Sequence, residues 1–309
     1  MSHTLKLATL FMCLYFAAAA AYAEEKCSLQ SFAGTYVAHE KGSTTIIDLF
    51  SIGVVSPAPG APATPPAWIA PGLVPFVNVS QVTFTPEGVG EGYFWIWAGS
   101  VAATLDPIPV HITITQMNED CTGKWQYTLP NGATIEERFI LFDNGREYRT
   151  VPTILGRPGI PTLAWIGTGH RISQGSAPVT SCGPQTAHGR YLLACENLVR
   201  SGLYPQMAVA DTFLLQSYIA MSGDYTGMLY EKFGASSIEL PVNGTMTVNP
   251  DCSLNDTLNI PGISSTVILK GAFFNEGKDY YAMGILNPNR LPNDQNIKFS
   301  FCQGTRTGQ

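Results

Sequence analysis

Two adjacent acids on one predicted strand are the residues in this 309-residue chain best suited to chemistry. Glu136 and Glu137 point to opposite faces, since side chains alternate along a β-strand. One of them would then lie inside the fold, where desolvation raises the pKa of a carboxyl group into a range useful for acid catalysis. The other interpretation, which we favour, is a salt bridge with Arg138 or an acid near a wet strand end.

His170 is the third catalytic candidate. It lies on a predicted last strand of the first half of the chain, with Ile166 and Ile172. It would either line the interior or be a hydrogen-bonded structural residue, and we favour the structural role. His111 alternates with Thr113 on a predicted outer face. No G-x-S-x-G, zinc-binding or phosphate-loop motif occurs in the sequence, so we predict no metal and no cofactor.

Tryptophan is confined to the first of the two repeated halves of the chain, residues 24–178, whereas core packing needs aromatic residues in both halves. Large aromatic walls suit an apolar ligand. The alternative is a bulkier core together with a domain interface in that half, and the sequence leaves both interpretations open. The predicted ligand-binding residues are Trp68, Tyr93, Trp95, Trp97, Trp125 and Trp165.

These residues lie on a β meander that the chain contains twice. The segment Ile112–Thr150 returns, shortened, as Met246–Ala282, and both copies run strand, Asp-Cys turn, strand, Pro/Gly turn, strand, Gly turn, strand. Cys27–Glu40 matches Cys182–Cys195 at Cys, Gln, Gly and Tyr. Each repeat yields about eight strands, the number that closes a small barrel. The repeat therefore predicts an all-β chain of two tandem antiparallel β-barrels that arose by internal duplication.

Cysteine placement is the strongest argument for closed sheets. Six cysteines remain when Cys13 of the N-terminal segment is set aside, and an even number in an exported chain predicts disulfides. The duplication selects two symmetric pairs and leaves a third. The predicted pairs are Cys27–Cys121, Cys182–Cys252 and Cys195–Cys302.

The third pair joins the first and last predicted strands of the second repeat. In the repeat alignment, Cys195 takes the place of Glu40 and Cys302 takes the place of Ser173. The first and last strands of a sheet are neighbours when the sheet closes into a barrel. A bridge across that seam therefore favours a barrel over an open sandwich.

Residues 56–76 form a Pro-rich stretch that has no counterpart in the second repeat. It follows the predicted strands Gly34–Glu40 and Thr44–Ile52. Its prolines exclude a helix interior and a central strand, so we predict a long loop that either covers a barrel mouth or braces the domains.

The predicted strand Tyr93–Ala98 is apolar on both faces. One face would line its own barrel, and the other would meet the second domain, the loop or a partner.

Short motifs give the chain a family resemblance. It resembles the small secreted β-barrels of the calycin and allene-oxide-cyclase-like kind, here in tandem. Such barrels bind apolar molecules or, in a few cases, fold a reactive chain into a ring. The resemblance implies a barrel fold but carries over no catalytic residue. The residues that carry it are Cys27 with Gly34-Thr35-Tyr36, Thr113-Ile114 before Asp120-Cys121-Thr122-Gly123, and Phe142-Asp143-Asn144-Gly145-Arg146-Glu147.

The N-terminus is predicted to be a cleavable signal peptide, residues 1–23. His3 and Lys6 precede the apolar run Leu7–Ala21, and Ala21-Tyr22-Ala23 is a small-x-small cleavage site. A membrane anchor is the alternative, but the run is short for a span. The localisation that follows is secreted or periplasmic, without stable membrane insertion.

Composition narrows the range of partners. Only 13% of residues are charged, the net charge is −6, and no Lys/Arg run exists. An acidic surface without basic patches argues against nucleic acid and against anionic membranes. Glycosylation sequons at Asn78, Asn243 and Asn255 are meaningful only in a eukaryotic source.

The sequence thus predicts residues 24–178 as the first barrel and residues 179–309 as the second. Our leading hypothesis is a protein that binds a small, largely apolar molecule in the Trp-rich first barrel. The alternative is a metal-independent cyclase or isomerase that acts on an apolar substrate, since shape, one acid and exclusion of water can suffice for such chemistry. A third possibility is a non-catalytic envelope or extracellular interaction module.

Overall fold

The computed structural model describes residues 26–45, 73–98, 102–103, 107–128, 134–153, 164–174, 181–201, 204–233, 236–261, 265–286 and 298–308. Among these residues, no helix has the length and apolar character needed to cross a bilayer. The predicted signal peptide and most of the Pro-rich stretch, including Trp68, lie outside the described residues.

Eight strands of the first repeat close into an antiparallel barrel in the order β1-β2-β3-β5-β6-β7-β8-β9, and β4 is a short extension that pairs with β3. The short helix α1 (Leu29–Phe32) precedes the barrel, and a 3₁₀ turn (Asp143–Gly145) joins β7 to β8. The strands are β1 (Gly34–Thr45), β2 (Leu73–Phe84), β3 (Val89–Ala98), β4 (Ala102–Ala103), β5 (Ile108–Met117), β6 (Thr122–Thr128), β7 (Thr134–Phe142), β8 (Glu147–Pro152) and β9 (Ala164–Gln174).

The second repeat builds a closed antiparallel barrel in which each strand pairs with the next and β17 pairs with β10. Helix α2 (Pro184–Ala187) and a 3₁₀ turn (Asn275–Gly277) occupy the positions of their counterparts in the first repeat. The predicted fold of two tandem antiparallel barrels is confirmed. The strands are β10 (Gly189–Ser201), β11 (Tyr204–Ile219), β12 (Asp224–Phe233), β13 (Ser236–Val248), β14 (Ser253–Ile260), β15 (Ser265–Phe274), β16 (Asp279–Leu286) and β17 (Lys298–Gly308).

Alternation of buried and exposed side chains places a core inside each barrel. Strand β7 shows the pattern clearly, because Ile135, Glu137, Phe139 and Leu141 are buried while the residues between them face outward. Near one end of the first barrel, Phe32 of α1 plugs the interior. Its ring centroid lies within 5.7 Å of the rings of Tyr36, Phe84, Trp125, Phe139 and Tyr148.

One tyrosine anchors this closed end in each barrel. The Tyr36 hydroxyl donates to the Gly145 carbonyl at 2.6 Å, and the Tyr191 hydroxyl donates to the Gly277 carbonyl at 2.8 Å. Gly145 has φ +77°, and a Cβ there would lie 2.2 Å from the Ser31 carbonyl oxygen. Only glycine therefore allows the turn to approach helix α1 so closely.

All three predicted disulfides are present: Cys27–Cys121, Cys182–Cys252 and Cys195–Cys302. The first two each tie the segment before a short helix to an Asp-Cys turn. Cys195 and Cys302 lie directly opposite each other on β10 and β17. This bond therefore crosses the seam that closes the second barrel.

The predicted alignment of the last strands was wrong by six residues. Arg171 lies opposite Tyr36 as Arg306 lies opposite Tyr191, so Cys302 is the counterpart of Gly167 and not of Ser173. A short Gln-Gly match misled the alignment. The register is instead set by glycines beneath aromatic rings: a Cβ at Gly169 would clash with Tyr148, as one at Gly304 would clash with Tyr280.

Two local predictions are corrected around the Pro-rich stretch. Strand β1 runs without a break through 41–43, where we had predicted a gap between two strands. The end of the predicted loop, Leu73–Phe76, belongs to β2. Pro75 lies opposite Ser43 of β1 and is tolerated there because it lies beyond the described pairing with β3, which begins at Phe76.

The two barrels pack against each other through apolar outer faces, which we call the inter-barrel interface. The first barrel contributes strands β1 to β3 with Ile172 of β9 at the edge, and the second contributes strands β15 and β16 with Phe301 of β17 at the edge. The apolar faces of strand Tyr93–Ala98 are thereby explained, since Phe94 and Ile96 lie in the first core and Trp95 lies in the interface. The buried interface residues are Val37, Val77, Val79, Trp95, Ala272, Phe274, Tyr281 and Met283.

Polar contacts surround this apolar patch. The Tyr93 hydroxyl donates to Asp251 Oδ2 at 2.9 Å. The His170 ring stacks on Phe274 at 4.6 Å between centroids, and its Nε2 lies 3.2 Å from the Tyr281 hydroxyl. His170 therefore faces the second barrel and not the interior of the first.

We predict that replacing both Cys195 and Cys302 by alanine destabilises the second barrel selectively. Loss of a native disulfide typically lowers the unfolding free energy by about 2–5 kcal/mol. Urea unfolding can separate the barrels, because tryptophan fluorescence reports only the first repeat whereas far-ultraviolet circular dichroism reports both. The circular dichroism transition should begin at lower urea than the fluorescence transition. Unchanged midpoints by both probes would show that the bond does not hold the seam.

Candidate functional site

Two buried carboxyl groups lie inside the first barrel, Glu40 on β1 and Glu137 on β7. Glu40 follows Tyr36 and Ala38 on the inward face of its strand, and Glu137 lies between Ile135 and Phe139 on the inward face of its own. Their exposed fractions are 3% and 0%. The interior of the barrel thus contains an acid pair.

Only one of the two adjacent glutamates belongs to this pair. Glu136 points outward, 3.3 Å from Lys124 Nζ, and accepts a hydrogen bond from Thr153 Oγ1 at 2.9 Å. The salt bridge with Arg138 that we favoured does not describe Glu137, because its side chain is enclosed by the barrel. The catalytic role assigned to either residue stays a prediction.

Three donors converge on the carboxyl group of Glu137. Trp125 Nε1 donates to Oε2 at 2.8 Å, and Trp165 Nε1 donates to Oε1 at 2.6 Å. Thr150 Oγ1 donates to Oε2 at 2.7 Å. Hydrogen bonds to a carboxylate stabilise its charged form, so this environment favours an ionised Glu137.

Glu40 is less fully supplied with donors. Asn78 Nδ2 donates to Oε2 at 2.7 Å, and the Tyr127 hydroxyl lies 3.0 Å from Oε1. Gly167 lies opposite Glu40 on β9, and a Cβ there would come within 2.9 Å of Glu40 Cγ. Glycine thus makes room for the acid. The other amide atom, Asn78 Oδ1, is buried without a hydrogen-bond partner among the described residues.

The two acids differ in their tendency to keep a proton. Burial raises the pKa of Glu40 well above its usual range, and the nearby charge of Glu137 raises it further. Burial also raises the pKa of Glu137, but the donors Thr150, Trp125 and Trp165 oppose that rise. Two like charges buried together disfavour each other, so sharing one proton is favourable. Of the two acids, Glu40 has the stronger tendency to keep the proton.

Tyr127 links the pair. Its hydroxyl donates to Glu40, and its proximity also opposes the rise in the pKa of Glu137. Burial raises the pKa of Tyr127 well above its usual range, so the phenol stays protonated. The phenol donates to Glu40 Oε1 at 3.0 Å, and this hydrogen bond opposes the rise in the pKa of Glu40. Glu40, Tyr127 and Glu137 therefore form one polar cluster inside the barrel.

The second barrel has apolar residues at the positions of this polar cluster. Strand register matches the two barrels position by position, from Tyr36 and Tyr191 at the closed ends. Glu40, Asn78, Ser80, Tyr127, Glu137, Thr150 and Gly167 correspond respectively to Cys195, Phe213, Leu215, Leu258, Leu269, Ala282 and Cys302. The seam disulfide of the second barrel thus occupies the place of Glu40 and Gly167.

The second barrel carries a buried acid of its own at a different position. Asp256 accepts a hydrogen bond from the Tyr225 hydroxyl at 2.8 Å. Burial raises the pKa of Asp256 to about 7. Its counterpart in the first barrel is Trp125, one of the donors to Glu137, so the two interiors are chemically distinct.

The structure separates the predicted ligand-binding residues. Trp125 and Trp165 lie inside the first barrel, whereas Tyr93 and Trp95 pack in the inter-barrel interface. The side chain of Trp97 lies, with Trp68, outside the described part. Sequence reasoning missed Glu40, Asn78, Tyr127 and Thr150 as site residues. The available signal was the repeat alignment, in which cysteine replaces Glu40.

Two further sequence features are placed by the structure. The sequon residue Asn78 is buried inside the barrel, so the folded protein does not present it for glycosylation, whereas Asn243 and Asn255 are exposed. Within the described ranges, no group of three or more His, Cys, Asp or Glu side chains could hold a metal ion.

No protein-family model matches the chain, and no curated protein matches it. Among solved structures, it is similar to a protein of unknown function from the DUF3598 family of Nostoc punctiforme, with 10% identity over 91% of this chain and 100% of that chain, at a TM-score of 0.27. It is also similar to a double mutant of the vaccine antigen transferrin binding protein B from Haemophilus parasuis, with 8% identity over 88% of this chain and 75% of that chain, at a TM-score of 0.28. Likenesses this weak say nothing about function.

We predict that the acid pair makes the stability of the first barrel fall as pH rises. Unfolded, Glu40 releases its proton near 4.5, whereas the folded chain retains it to higher pH. Between those two pKa values the native state binds more protons, so the unfolding free energy decreases with pH, by at most about 1.4 kcal/mol per pH unit for one proton.

Substitution Glu40→Gln should flatten this slope because the amide does not titrate. Urea unfolding followed by tryptophan fluorescence between about pH 5 and about pH 8 measures it. Glu136→Gln is the matched control, since that acid faces solvent, and it should keep the wild-type slope. Equal slopes for wild type and Glu40→Gln would mean that Glu40 titrates normally.

Proposed function

We propose that the interior of the first barrel binds a small, largely apolar molecule that presents a hydrogen-bond donor, such as an amine or a hydroxyl group, to Glu40 and Asn78. One observation carries the proposal. The first barrel has a buried polar cluster at the positions where the second barrel has a disulfide and a set of apolar core residues.

The energetic argument starts from the cost of burial. Moving a carboxyl group out of water is unfavourable, and two neighbouring acids without a cation are more so. The second barrel closes the same fold with Cys195–Cys302 and Leu269 in place of Glu40–Gly167 and Glu137. The fold therefore does not require the acids. Buried ionisable groups retained at such a cost are typical of functional sites.

The unpaired amide oxygen indicates the chemistry of the guest. Leaving a buried acceptor without a donor costs about 1–3 kcal/mol. Asn78 Oδ1 is such an acceptor, and a guest N–H or O–H group would satisfy it. Ile96 lies opposite Asn78 on β3, and Val110 lies in the same core. The cluster is thus polar on one side and apolar on the other, as ligand sites commonly are.

The compartment fits this proposal. Three disulfides are typical of proteins that fold in an oxidising environment. We propose that residues 1–23 direct export and that the guest is met outside the cytoplasm. The ligand would then be captured in the extracellular space or the periplasm.

N-phenyl-1-naphthylamine is a suitable probe, because it is neutral, apolar and carries one N–H donor. Its fluorescence should rise on binding with saturation at one molecule per chain, and Trp125 and Trp165 should transfer excitation energy to it. Asn78→Phe installs the residue of the second barrel and should weaken binding at least about tenfold, since it removes the acceptor and fills space.

Glu136→Gln serves as the control and should bind the probe like the wild type, because that side chain lies outside the barrel. Wild-type protein that binds no probe would overturn the proposal, as would an Asn78→Phe variant with unchanged affinity. In that case the remaining candidate is a filled interaction module.

A second candidate function is acid-catalysed isomerisation or ring closure of the same guest. The observation that favours it is the position of Glu40, a buried acid beside Tyr127 whose pKa is raised well above its usual range by burial. Glu40 would donate its proton to the guest, Glu137 would stabilise the positive charge that develops, and ionised Glu40 would take a proton back from the cation as the isomer forms.

The two functions make different predictions for Glu40→Gln. A catalyst lacking its acid should retain unconverted substrate, so a compound extracted from the purified variant should be converted by wild-type protein into an isomer of the same mass, which chromatography and NMR distinguish from it. A carrier should show the same unchanged compound in both proteins. An identical compound that wild type leaves unaltered would exclude the catalytic candidate.

A further inference from the structure

The duplication gives the chain two copies of each surface that meets in the inter-barrel interface. We call face A the outer surface of β1–β3 in the first barrel and of β10–β12 in the second. Face B is the outer surface of β7–β9 in the first barrel and of β15–β17 in the second. Within the chain, face A of the first barrel packs on face B of the second. Most of the other face A and of the other face B remains exposed, and among the described residues only their edges touch the neighbouring barrel, through Glu196 of β10 with Lys41 and through His170 of β9 with Phe274.

The open face A repeats the apolar residues of the docked one. Register on the paired strands matches Leu192 to Val37, Leu214 to Val79 and Tyr230 to Trp95. Leu214 is 46% exposed whereas Val79 is fully buried. Large apolar side chains thus stand in solvent at the positions that the first barrel uses for docking.

The open face B shows the same relation. Phe142 and Phe274 each precede the 3₁₀ turn of their barrel, and they are 45% and 5% exposed. Ile166 is 63% exposed, the largest exposure among the large apolar side chains described, and corresponds to Phe301 at the docked edge. The complete correspondence is Ile140, Phe142, Val151 and Ile166 with Ala272, Phe274, Met283 and Phe301.

These seven residues account for most of the large hydrophobic side chains that the described structure exposes. Scattered exposed apolar residues are ordinary on protein surfaces. Here, however, they fall on the counterparts of one existing interface, on both of its sides. The coincidence needs a cause beyond surface composition.

We infer that the protein associates head to tail with second copies of itself, the open face A of one chain docking on the open face B of the next. The inter-barrel interface is the template for this contact. Because different surfaces meet, the association is heterologous and produces a ring or a filament rather than a simple two-fold dimer.

Charges at the open faces are compatible with this docking. In the chain's own interface, His39 packs on Tyr281 with ring centroids 4.3 Å apart. At the open faces, small Ala194 replaces His39 and Arg149 replaces Tyr281. Glu196, on the same outer face of β10, is already paired within the chain with Lys41 of the first barrel. Arg149 on face B would therefore meet the small, uncharged Ala194 on face A.

Sedimentation velocity of the purified protein over a concentration series tests the inference. As concentration rises, wild-type protein should form either a closed ring or a series of species that grow beyond the dimer. Leu214→Asp on face A and Phe142→Asp on face B should each raise the dissociation constant roughly 100-fold, because an unpaired charge is buried at the centre of the contact.

Mixing the two variants gives the decisive measurement. Leu214→Asp retains an intact face B and Phe142→Asp retains an intact face A, so an equimolar mixture should form a 1:1 dimer and nothing larger. Met221→Asp is the matched control: this residue is 58% exposed but has no counterpart in the inter-barrel interface, and its variant should associate like wild type.

A monomeric wild type at every concentration would overturn the inference, and so would a mixture that stays monomeric while each variant is folded by circular dichroism. Association that survives Phe142→Asp would point to a contact of another kind and would equally contradict the inference. None of these outcomes depends on ligand binding, so the proposed function is tested separately.

Discussion

Closure of the seam between first and last strands is the constraint on which both barrels depend. A sheet left open at that seam exposes unpaired backbone groups and the apolar core behind them. The second barrel crosses the seam with the Cys195–Cys302 bond. The first barrel places Glu40 and Gly167 at the same positions. One copy therefore stabilises its seam covalently, and the other leaves a buried acid there.

The acid explains the composition of the surrounding interior. Ionising both Glu40 and Glu137 is unfavourable because two like charges would be buried together, and indole, phenol and hydroxyl donors lie around the pair. The restriction of tryptophan to the first repeat then has two separate causes. Trp125 and Trp165 supply N–H groups to Glu137. Trp95 fills the contact with the second barrel, and its counterpart Tyr230 stands exposed.

Sequence patterns could predict what repeats locally and could not predict what depends on long-range register. The tandem barrels and the three disulfides follow from alternation and from the duplicated Asp-Cys turns. Glu137 was recognised as a candidate, but its partner Glu40 lies 97 positions earlier in the chain and meets it only through the closed barrel. The alignment of the last strands failed because it relied on a short Gln-Gly match. The correct alignment pairs Gly169 with Gly304, and the reason for these glycines is seen only in the structure, where Tyr148 and Tyr280 pack against them.

The central claim is that one interior glutamate of the first barrel keeps its proton at neutral pH. Carbon-13 labelling of glutamate side-chain carboxyl groups alone, followed by an NMR titration, tests this claim without interference from Asp256. One resonance should remain in the protonated position at pH 7 and should disappear in the Glu40→Gln protein. If every glutamate resonance shifts to the ionised position near the ordinary value of 4.5, the interior does not hold a protonated acid and the account is contradicted.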